Sequence, residues 1–306
     1  MKIEANVVIP MYNSVSSIEK SVRSVLDQKN IFVKVFVVDH GSDDGSLELV
    51  TQKFRNDERV KIVSIGRSKN EKRSASKPLN CGIQEIMNQT RNDLEIWVMR
   101  LDADDMLYNP YVLSKAINMK KQDTLLICGS IIFANSSKKI ASKYHLQEKY
   151  ATVNKLCKCA AYGFPHHATL IALDLLKIIE KEENSFFCTN IGYGEDFDFS
   201  LKLFKNCKDD QIVFIEDEFI IKEQSGETIT NTISSKKYIK DHLIILLRNS
   251  KLSKIFMLKT ILWRLLNNCK FCKGVINKME APALKFANNT IENYEKIKKM
   301  SGWTEE

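Results

Sequence analysis

Glycine is scarce in this chain, with 11 in 306 residues, and none form the pattern G-x-G-x-x-G after an apolar run. That pattern lets a dinucleotide pyrophosphate approach the first strand–helix turn of a dinucleotide-binding domain. Its absence argues against a dinucleotide-dependent enzyme.

Long uncharged apolar runs are also lacking. None reaches the roughly 18 residues that a membrane-spanning helix needs. The first six residues lead directly into an apolar run and contain no signal-peptide core, so we expect a cytoplasmic protein. The hydrophobic fraction of 44% is ordinary for a folded chain, and the length suits one large α/β domain with an appendage, or two small domains.

Closely spaced cysteine pairs are few among the eight cysteines. They are Cys157-Lys158-Cys159 and Cys269-Lys270-Phe271-Cys272, and neither has a second pair at matched spacing with histidine partners. A structural zinc site usually needs two such pairs. Scattered free thiols in a reducing cytoplasm are therefore favoured over a zinc site.

Positive charge is concentrated in one segment. Residues 236–278 carry eleven Lys or Arg and one acidic residue, a balance of +10, whereas the whole chain has +8. The remainder is therefore close to −2. This distribution argues against a nucleic-acid-binding protein, because the basic character does not belong to the rest of the chain.

Apolar β-branched runs and amphipathic stretches alternate over the first hundred residues. Their order predicts a mainly parallel central sheet with helices on both faces. The predicted strands are 7–9 (ended by Pro10), 33–38, 60–65 and 95–101, and the predicted helices are 18–26, 47–54 and 78–87. Residues 110–225 indicate mixed α+β structure, with strands at 124–133 and 168–173 and a helix at 195–204. Ligands of such sheets bind beyond the carboxyl ends of the strands.

Three carboxylates follow one of these strands, in Asp102-Ala103-Asp104-Asp105. They repel one another unless a cation is present, and Mg²⁺ or Mn²⁺ takes oxygen ligands and completes its shell with phosphate oxygens. The cluster therefore suits a metal held against a nucleotide diphosphate. A solvated acidic turn that caps the next helix is the alternative.

Two adjacent acids occur later, in Gly194-Glu195-Asp196, at the start of an amphipathic helix. One could act as a general base that deprotonates a hydroxyl nucleophile. Acids in a first helical turn are also favoured by the helix dipole alone, so capping is the alternative.

The first two strand ends carry groups suited to a nucleobase. Pro10-Met11-Tyr12-Asn13 offers an aromatic face, and Asp39 offers an acceptor for a ring N–H. A Pro-Asn turn and a helix-capping aspartate are the alternatives.

Taken in order, these blocks resemble the signature of family 2 glycosyltransferases with the GT-A fold. The blocks are 8–13, 37–46, 101–105 and 194–196. In addition, Leu79-Asn80-Cys81-Gly82-Ile83 resembles the family's Asn-x-Gly helix start. The resemblance covers roughly residues 5–225. It implies a bacterial-type, inverting transfer of a sugar from a nucleotide-diphosphate donor, UDP in our expectation, with Mn²⁺ or Mg²⁺ as cofactor.

The resemblance also implies roles for single residues in donor binding. Pro10 and Tyr12 would border the nucleobase, and Asp39 would accept its ring N–H. Lys77, or alternatively Arg73, would lie near the nucleotide.

For the metal and the chemistry, the resemblance implies a second set of roles. Asp102 would face the ribose and the metal, and Asp104 would bind the metal at the diphosphate. Asp196 would be the base, and Glu195 would order the acceptor or its loop. Asp105 has a less defined role, a cap on the following turn.

Three further residues carry open alternatives. His166 and His167 precede a predicted strand, and one of them could reach the metal or the acceptor, although adjacent histidines are more often hydrogen-bonded loop residues. His40 stands where many relatives carry a second acid, which leaves the nucleotide preference open.

Two other readings compete with the glycosyltransferase. A sugar-nucleotide nucleotidyltransferase would usually show a glycine-rich, basic loop where this chain has Pro10-Met11-Tyr12-Asn13. A catalytically silent, membrane-associated binding module would not need Asp104 and Asp196.

We expect a catalytic domain over residues 1–230, with a nucleotide-binding half to about 105 and an acceptor half over 106–230. Residues 231–306 are predicted to form basic amphipathic helices. These would either lie on an anionic membrane surface at the inner face of the cell membrane or pack as a lid. The expected partners are a nucleotide-sugar donor and a glycan or lipid-linked oligosaccharide acceptor in surface polysaccharide or lipooligosaccharide synthesis, and no nucleic acid.

Overall fold

The computed structural model describes an α/β chain built on one ten-stranded sheet. The residues described are 2–68, 71, 74–89, 93–134, 140–146, 166–183, 185–191, 194–223, 241, 244–245 and 284–287. The sheet runs β10-β7-β6-β8-β4-β1-β2-β3, with β9 paired to β6 and β5 paired to β9.

The first half of the chain forms the parallel part of the sheet. Its strands β1 to β4 are ordered β4-β1-β2-β3 and all pair in parallel. Their apolar residues are buried largely because helices cover the sheet, as is usual for parallel strands. The strands are Lys2–Met11, Phe32–Asp39, Val60–Ser64 and Leu94–Arg100, and the helices α1 to α3 are Ile18–Leu26, Ser46–Phe54 and Ser76–Asn88.

The second half of the chain adds antiparallel pairs at one side of the parallel central strands. Strand β8 joins β4 and β6, and both pairings are antiparallel. Strand β9 returns parallel to β6. The elements are β5 (Met106–Leu107), α4 (Val112–Asn118), β6 (Leu126–Ala134), β7 (Ile140–Leu146), β8 (Thr169–Ala172), α5 (Leu173–Glu183), α6 (Glu195–Lys205) and β9 (Ile212–Glu223).

Pro10 does not end the first strand, contrary to the prediction from sequence. Strand β1 continues to Met11, and Pro10 lies opposite Val38 of β2. Strand β4 has already ended, because its last residue, Arg100, lies opposite Val8. Pro10 therefore has a strand neighbour on one side only, which is where a proline is tolerated in a sheet.

Helix α3 approaches the sheet closely at Gly82. A Cβ atom built there would lie 2.4 Å from Cγ1 of Val8 and 3.2 Å from Cγ2 of Val38. Only a residue without a side chain fits between this helix and strands β1 and β2. This close approach explains the glycine in the Asn-x-Gly pattern.

The loops that follow β1 and β2 are joined by side chains of both. Asn13 Nδ2 donates to Asp43 Oδ1 at 2.7 Å, and the Asp43 N–H donates to Asn13 Oδ1 at 3.0 Å. The Ser14 N–H donates to Ser46 Oγ at 2.7 Å. We call residues 12–15 and 40–46 the interlocked loops. Gly41 and Gly45 take φ values of +75° and +91° in the second of them, a conformation that favours glycine.

Most of the predicted helical C-terminal region lies outside the described residues, and so do Arg73 and the two cysteine pairs. The domain boundary near residue 230 stays a prediction for the same reason. Residues 284–287 form strand β10, antiparallel to β7, where helix was expected. None of the helices in the described part of the chain has the length and apolar character that a membrane span requires.

Candidate active site

The predicted site residues converge at the carboxyl ends of β1, β2 and β4. Tyr12, Asp39 and Asp102 follow or end these strands. The first turn of α6 and a short 3₁₀ helix, His166–Ala168, bring acids and imidazoles to the same edge. Residues far apart in the chain therefore meet in one site.

Asp39 is buried, with 1% exposure, and its carboxylate is held by the turn that follows it. It accepts hydrogen bonds from the N–H of Gly41 at 3.1 Å and of Ser42 at 3.2 Å, and from Ser64 Oγ at 3.3 Å. The carboxylate thus orders the turn. Its contact with a nucleobase stays a prediction.

Tyr12 is covered by Arg67, which the sequence reasoning missed. The Arg67 guanidinium carbon lies 4.1 Å from the centroid of the ring, and Nη2 donates to the phenolic oxygen at 2.8 Å. A guanidinium on an aromatic face is stabilised by the ring quadrupole. Pro10, two residues before Tyr12, is half-buried.

Lys77 lies at the start of α3 and forms an ion pair with Glu71. Its Nζ is 2.9 Å from Glu71 Oε1, and Nε2 of the buried His40 is 3.2 Å from the same oxygen. The hydrogen bond from Lys77, with one from the N–H of Ser68, lowers the pKa of the Glu71 carboxyl to about 2. His40, at the position of the missing second acid, is thus connected to Lys77 through Glu71.

The three acids after β4 form a compact group. Each of Asp102, Asp104 and Asp105 offers one carboxylate oxygen, and these oxygens lie within 4.8 Å of one another. Asp104 is exposed, whereas the side chain of Asp105 is fully buried. The prediction that Asp105 only caps a turn is wrong, because its carboxylate faces a half-buried cation.

That cation is Lys222, near the end of β9. Its Nζ lies 2.8 Å from Asp105 Oδ2 and 2.9 Å from Asp102 Oδ2. Burial lowers the pKa of Lys222, but the two carboxylates outweigh burial and raise it. Burial raises the pKa of Asp105 well above its ordinary value, although Lys222 opposes the shift. Lys222 therefore neutralises part of the acidic group from within the protein.

Asp102 also binds two groups on its other sides. Nε of Arg100 donates to Asp102 Oδ1 at 3.0 Å, and Nε2 of His167 lies 3.0 Å from Asp102 Oδ2. Burial would raise the pKa of Asp102, but the positive charges of Arg100 and Lys222 hold it well below its ordinary value. Burial lowers the pKa of His167 to about 3, so its ring is uncharged at neutral pH.

Asp196 receives a matching pair of contacts. Nη1 of Arg100 donates to Asp196 Oδ1, and Nε2 of His166 lies 3.1 Å from Asp196 Oδ2. Burial would raise the pKa of Asp196, but Arg100 and then His166 hold it below its ordinary value. The side chain keeps 32% exposure, so the ionised carboxylate remains open to a ligand.

Glu195 precedes Asp196 at the start of α6, after Gly194 in the left-handed conformation with φ of +89°. Burial, and next the charge of Asp196, raise the pKa of Glu195. The two adjacent acids therefore have pKa values shifted in opposite directions. Such a difference gives two neighbouring carboxyl groups different roles.

Two buried contacts fix α6 and the segment before it. Lys202 Nζ lies 3.1 Å from Asp198 Oδ2 and donates to the carbonyls of Ser185 and Phe186 at 3.0 and 3.1 Å. Asn80 of α3 binds both backbone groups of Phe187. The acids of α6 are thus held against the parallel half of the sheet.

The donor set fits a hard divalent cation. Asp104 is the exposed carboxylate, and Asp102 and Asp105 supply further oxygens nearby. A second group, formed by His166, His167 and Asp196, also brings its ligand atoms within 4.8 Å of one another. Oxygen ligands suit Mg²⁺ and Mn²⁺, and imidazole nitrogen suits the later transition metals.

The structural likenesses define the class of fold. The chain is similar to S. aureus TarS 1–349 in complex with UDP-GlcNAc, with a TM-score of 0.64 and 18% identity over 92% of this chain and 76% of that one. It is also similar to the mannosyltransferase PcManGT from Pyrobaculum calidifontis in complex with GDP-Man and Mn²⁺, with a TM-score of 0.52 and 13% identity over 98% and 83% of the two chains. These likenesses confirm the GT-A fold.

The family follows from the sequence comparison. Residues 6–177, more than half of the chain, match the model of glycosyl transferase family 2. The chain belongs to this family. Asp196 and Lys222 lie beyond the matched residues.

The curated relatives are longer proteins than this chain. An uncharacterized glycosyltransferase of Haemophilus influenzae is 23% identical over 201 residues, which are 63% of this chain and 58% of that protein. The chondroitin synthase of Pasteurella multocida is 28% identical over 124 residues, 40% of this chain and 11% of the synthase. The chain therefore covers less than two thirds of the length of each.

Proposed function

We propose that this chain is an inverting, divalent-cation-dependent glycosyltransferase that transfers a sugar from a nucleotide-diphosphate donor, UDP in the first instance, to an acceptor hydroxyl. One observation carries the proposal. The donor-side acid Asp102 and the acid Asp196 of α6 lie on one guanidinium, that of Arg100. Similarity to proteins whose structures contain UDP-GlcNAc or GDP-Man with Mn²⁺ supports a nucleotide-sugar donor.

In the proposed reaction, Asp196 accepts the proton of the acceptor hydroxyl. The hydroxyl oxygen attacks the anomeric carbon as the bond from that carbon to the diphosphate breaks, and the nucleotide diphosphate leaves. An ionised carboxylate has about four acceptor positions, and the contacts with Arg100 and His166 leave room for a hydroxyl. A single displacement of this kind needs one base and a stabilised leaving group.

Asp104 and Asp102 would hold the divalent cation, with His167 or His166 as further candidates. When bound, such a cation neutralises charge on the departing diphosphate. Lys222 offsets part of the negative charge of Asp102 and Asp105, and its contacts hold both carboxylates in place. Glu195, with its raised pKa, orders the acceptor or its loop.

The test is release of nucleotide diphosphate from a panel of UDP- and GDP-sugars, with Mn²⁺, with Mg²⁺ and with EDTA. Asp104→Asn and Asp196→Asn should each lower turnover by a factor of about 100 or more. Asp123→Asn is the matched control. Asp123 is exposed and lies just before the end of β6 that pairs with Ile212. Lys222, which contacts the acidic group, pairs with the opposite end of the same strand. Unchanged turnover in the Asp104 and Asp196 variants would sink the assignment.

The acceptor is a hydroxyl of a glycan or a lipid-linked oligosaccharide in surface polysaccharide or lipooligosaccharide synthesis. Similarity to a chondroitin synthase supports a glycan acceptor. The balance of +10 over residues 236–278 supports contact with an anionic membrane surface. Full-length protein should bind vesicles containing anionic lipid and should dissociate at high salt. Equal binding to neutral vesicles, or none to either, would contradict the membrane contact.

A further inference from the structure

Arg100 is the last residue of β4, and its guanidinium contacts two acids on different elements. Nε and Nη2 both lie 3.0 Å from Asp102 Oδ1, and Nη1 donates to Asp196 Oδ1. Asp102 is two residues away in sequence, whereas Asp196 is 96 residues away, on α6. The Arg100 side chain is only 12% exposed.

The planar guanidinium fixes the relation between these two carboxylates. Its five N–H donors have directions set by one rigid plane, unlike the rotatable donors of a lysine ammonium. Each carboxylate binds a different part of that plane. The Arg100 side chain therefore constrains both the separation and the relative orientation of Asp102 and Asp196.

The two histidines reach the same acids by a less direct route, because their rings contact each other with centroids 3.9 Å apart. His167 lies against Asp102 and His166 against Asp196, each at one oxygen. Lys222 binds Asp102 and Asp105. Arg100 is thus hydrogen-bonded directly to both Asp102 and Asp196.

We propose that Arg100 is a positioning residue for sugar transfer, which sets Asp196 at the distance and angle from the donor that in-line attack requires. The inference rests on the proposed function, in which Asp196 is the base. Reacting atoms must lie about 3–3.5 Å apart and be aligned, and a misplacement of about 1 Å lowers the rate by a factor near 100. An acid held against Asp102 by a rigid plane meets that requirement before the acceptor arrives.

The variants Arg100→Lys and Arg100→Gln test the proposal, with Lys222→Met as the comparison. Arg100→Lys keeps the positive charge but cannot contact both acids with one plane. Its kcat should fall about 100-fold, while the Kd for UDP with Mn²⁺ stays within about threefold of wild type. Lys222→Met removes a contact of Asp102 that does not involve Asp196, so its Kd for UDP should rise more than its kcat falls. If the Arg100 variants, like Lys222→Met, raise the Kd for UDP more than they lower kcat, Arg100 acts only through Asp102. That result would show that the proposal is wrong.

A double-mutant cycle separates positioning from general damage to the fold. In an Asp196→Asn background, adding Arg100→Lys should lower the residual rate by less than about threefold, because the group that Arg100 positions is already gone. A full additional loss of about 100-fold would overturn the proposal. Arg100→Gln provides the same cycle should the lysine variant unfold.

A structural readout keeps this inference distinct from the proposed function. In a crystal structure of Arg100→Lys, the Asp196 carboxylate should be rotated or shifted away from Asp102. An unmoved carboxylate would overturn the positioning role whether or not the protein turns over any donor. Absence of turnover in wild-type protein with every donor would instead contradict the proposed function.

Discussion

The side-chain amide of Asn80 binds both backbone groups of Phe187. Its Nδ2 donates to the Phe187 carbonyl, and its Oδ1 accepts from the Phe187 N–H, each at 2.8 Å. Asn80 lies on α3 and Phe187 lies in the segment before α6, 107 residues later. Helix α3, in the parallel half of the sheet, is thereby connected to the segment that leads to Asp196.

Asn80→Ala should lower the free energy of unfolding by about 2 kcal/mol, because it leaves the N–H and the carbonyl of Phe187 without these partners. Urea denaturation followed by circular dichroism measures the change. Gln84→Ala, at an exposed position of the same helix, should change it by less than about 0.5 kcal/mol. Equal effects of the two variants would contradict the structural role of Asn80.

Gly82→Ala should destabilise the protein, although alanine is the better helix former. The added Cβ would lie 2.4 Å from Cγ1 of Val8, inside the packed sheet. We expect a loss of about 1–3 kcal/mol from overpacking, against a helix-propensity gain near 1 kcal/mol. Combining it with Val8→Ala, which removes the clashing methyl groups, should cost less than the two single changes added together. Simple additivity in thermal or urea unfolding would show that the close approach is not the cause.

Lys202→Met should be among the most destabilising single changes at a charged residue. Lys202 and Asp198 have side-chain exposures of 1% and 0%, so the variant leaves a carboxylate buried without its ammonium, at a cost of about 3–5 kcal/mol. Lys177→Met removes a similar pair one helix earlier, but Lys177 and Asp174 are 51% and 79% exposed. That change should cost less than about 1 kcal/mol. Similar losses for both variants in equilibrium unfolding would refute the argument from burial.

His167 predicts a dependence of stability on pH. Burial, with the neighbouring His166, lowers its pKa to about 3, whereas an unfolded histidine titrates near 6.5. Between these values the unfolded chain binds a proton that the folded protein does not bind. The contribution of His167 is therefore fully present above about pH 6.5 and decreases as the pH falls towards 3.

The comparison is wild type against His167→Gln, unfolded with urea in EDTA at several pH values between about 7 and 4. The stability of the variant relative to wild type should rise as the pH is lowered. Proton NMR should also show the His167 ring uncharged throughout this range. Parallel stability curves, or a ring that protonates near pH 6, would contradict the prediction.

Sequence alone predicted the parallel half of the sheet well, because buried parallel strands give short β-branched runs that end at turn residues. Strand β2 and helix α2 begin and end within a residue of expectation. Strand β9 was missed, since Glu216, Asp217 and Glu218 interrupt its apolar pattern. Its register with β6 shifts next to that acidic run, around Ser130, so the strand is irregular there.

The acids of the site were found because they form local motifs, but the cations that hold them were not. Arg100 had a local signal, a charge at the end of an otherwise apolar strand. Lys222 had none, because it lies 120 residues from Asp102 and meets it only through the pairing of β9 with β6. Arg67 likewise reaches Tyr12 over 55 residues. Ion pairs between distant elements depend on topology, which a spacing pattern does not contain.

The interlocked loops limit how the proposed donor site can be re-engineered. Asn13 and Asp43 each donate one hydrogen bond to the other, so a loop taken alone from another protein would meet a partner without matching groups. A chimera meant to accept a different nucleotide would have to exchange residues 12–15 and 40–46 as one unit. The same reciprocity means that a substitution tolerated in either loop depends on what the other loop presents.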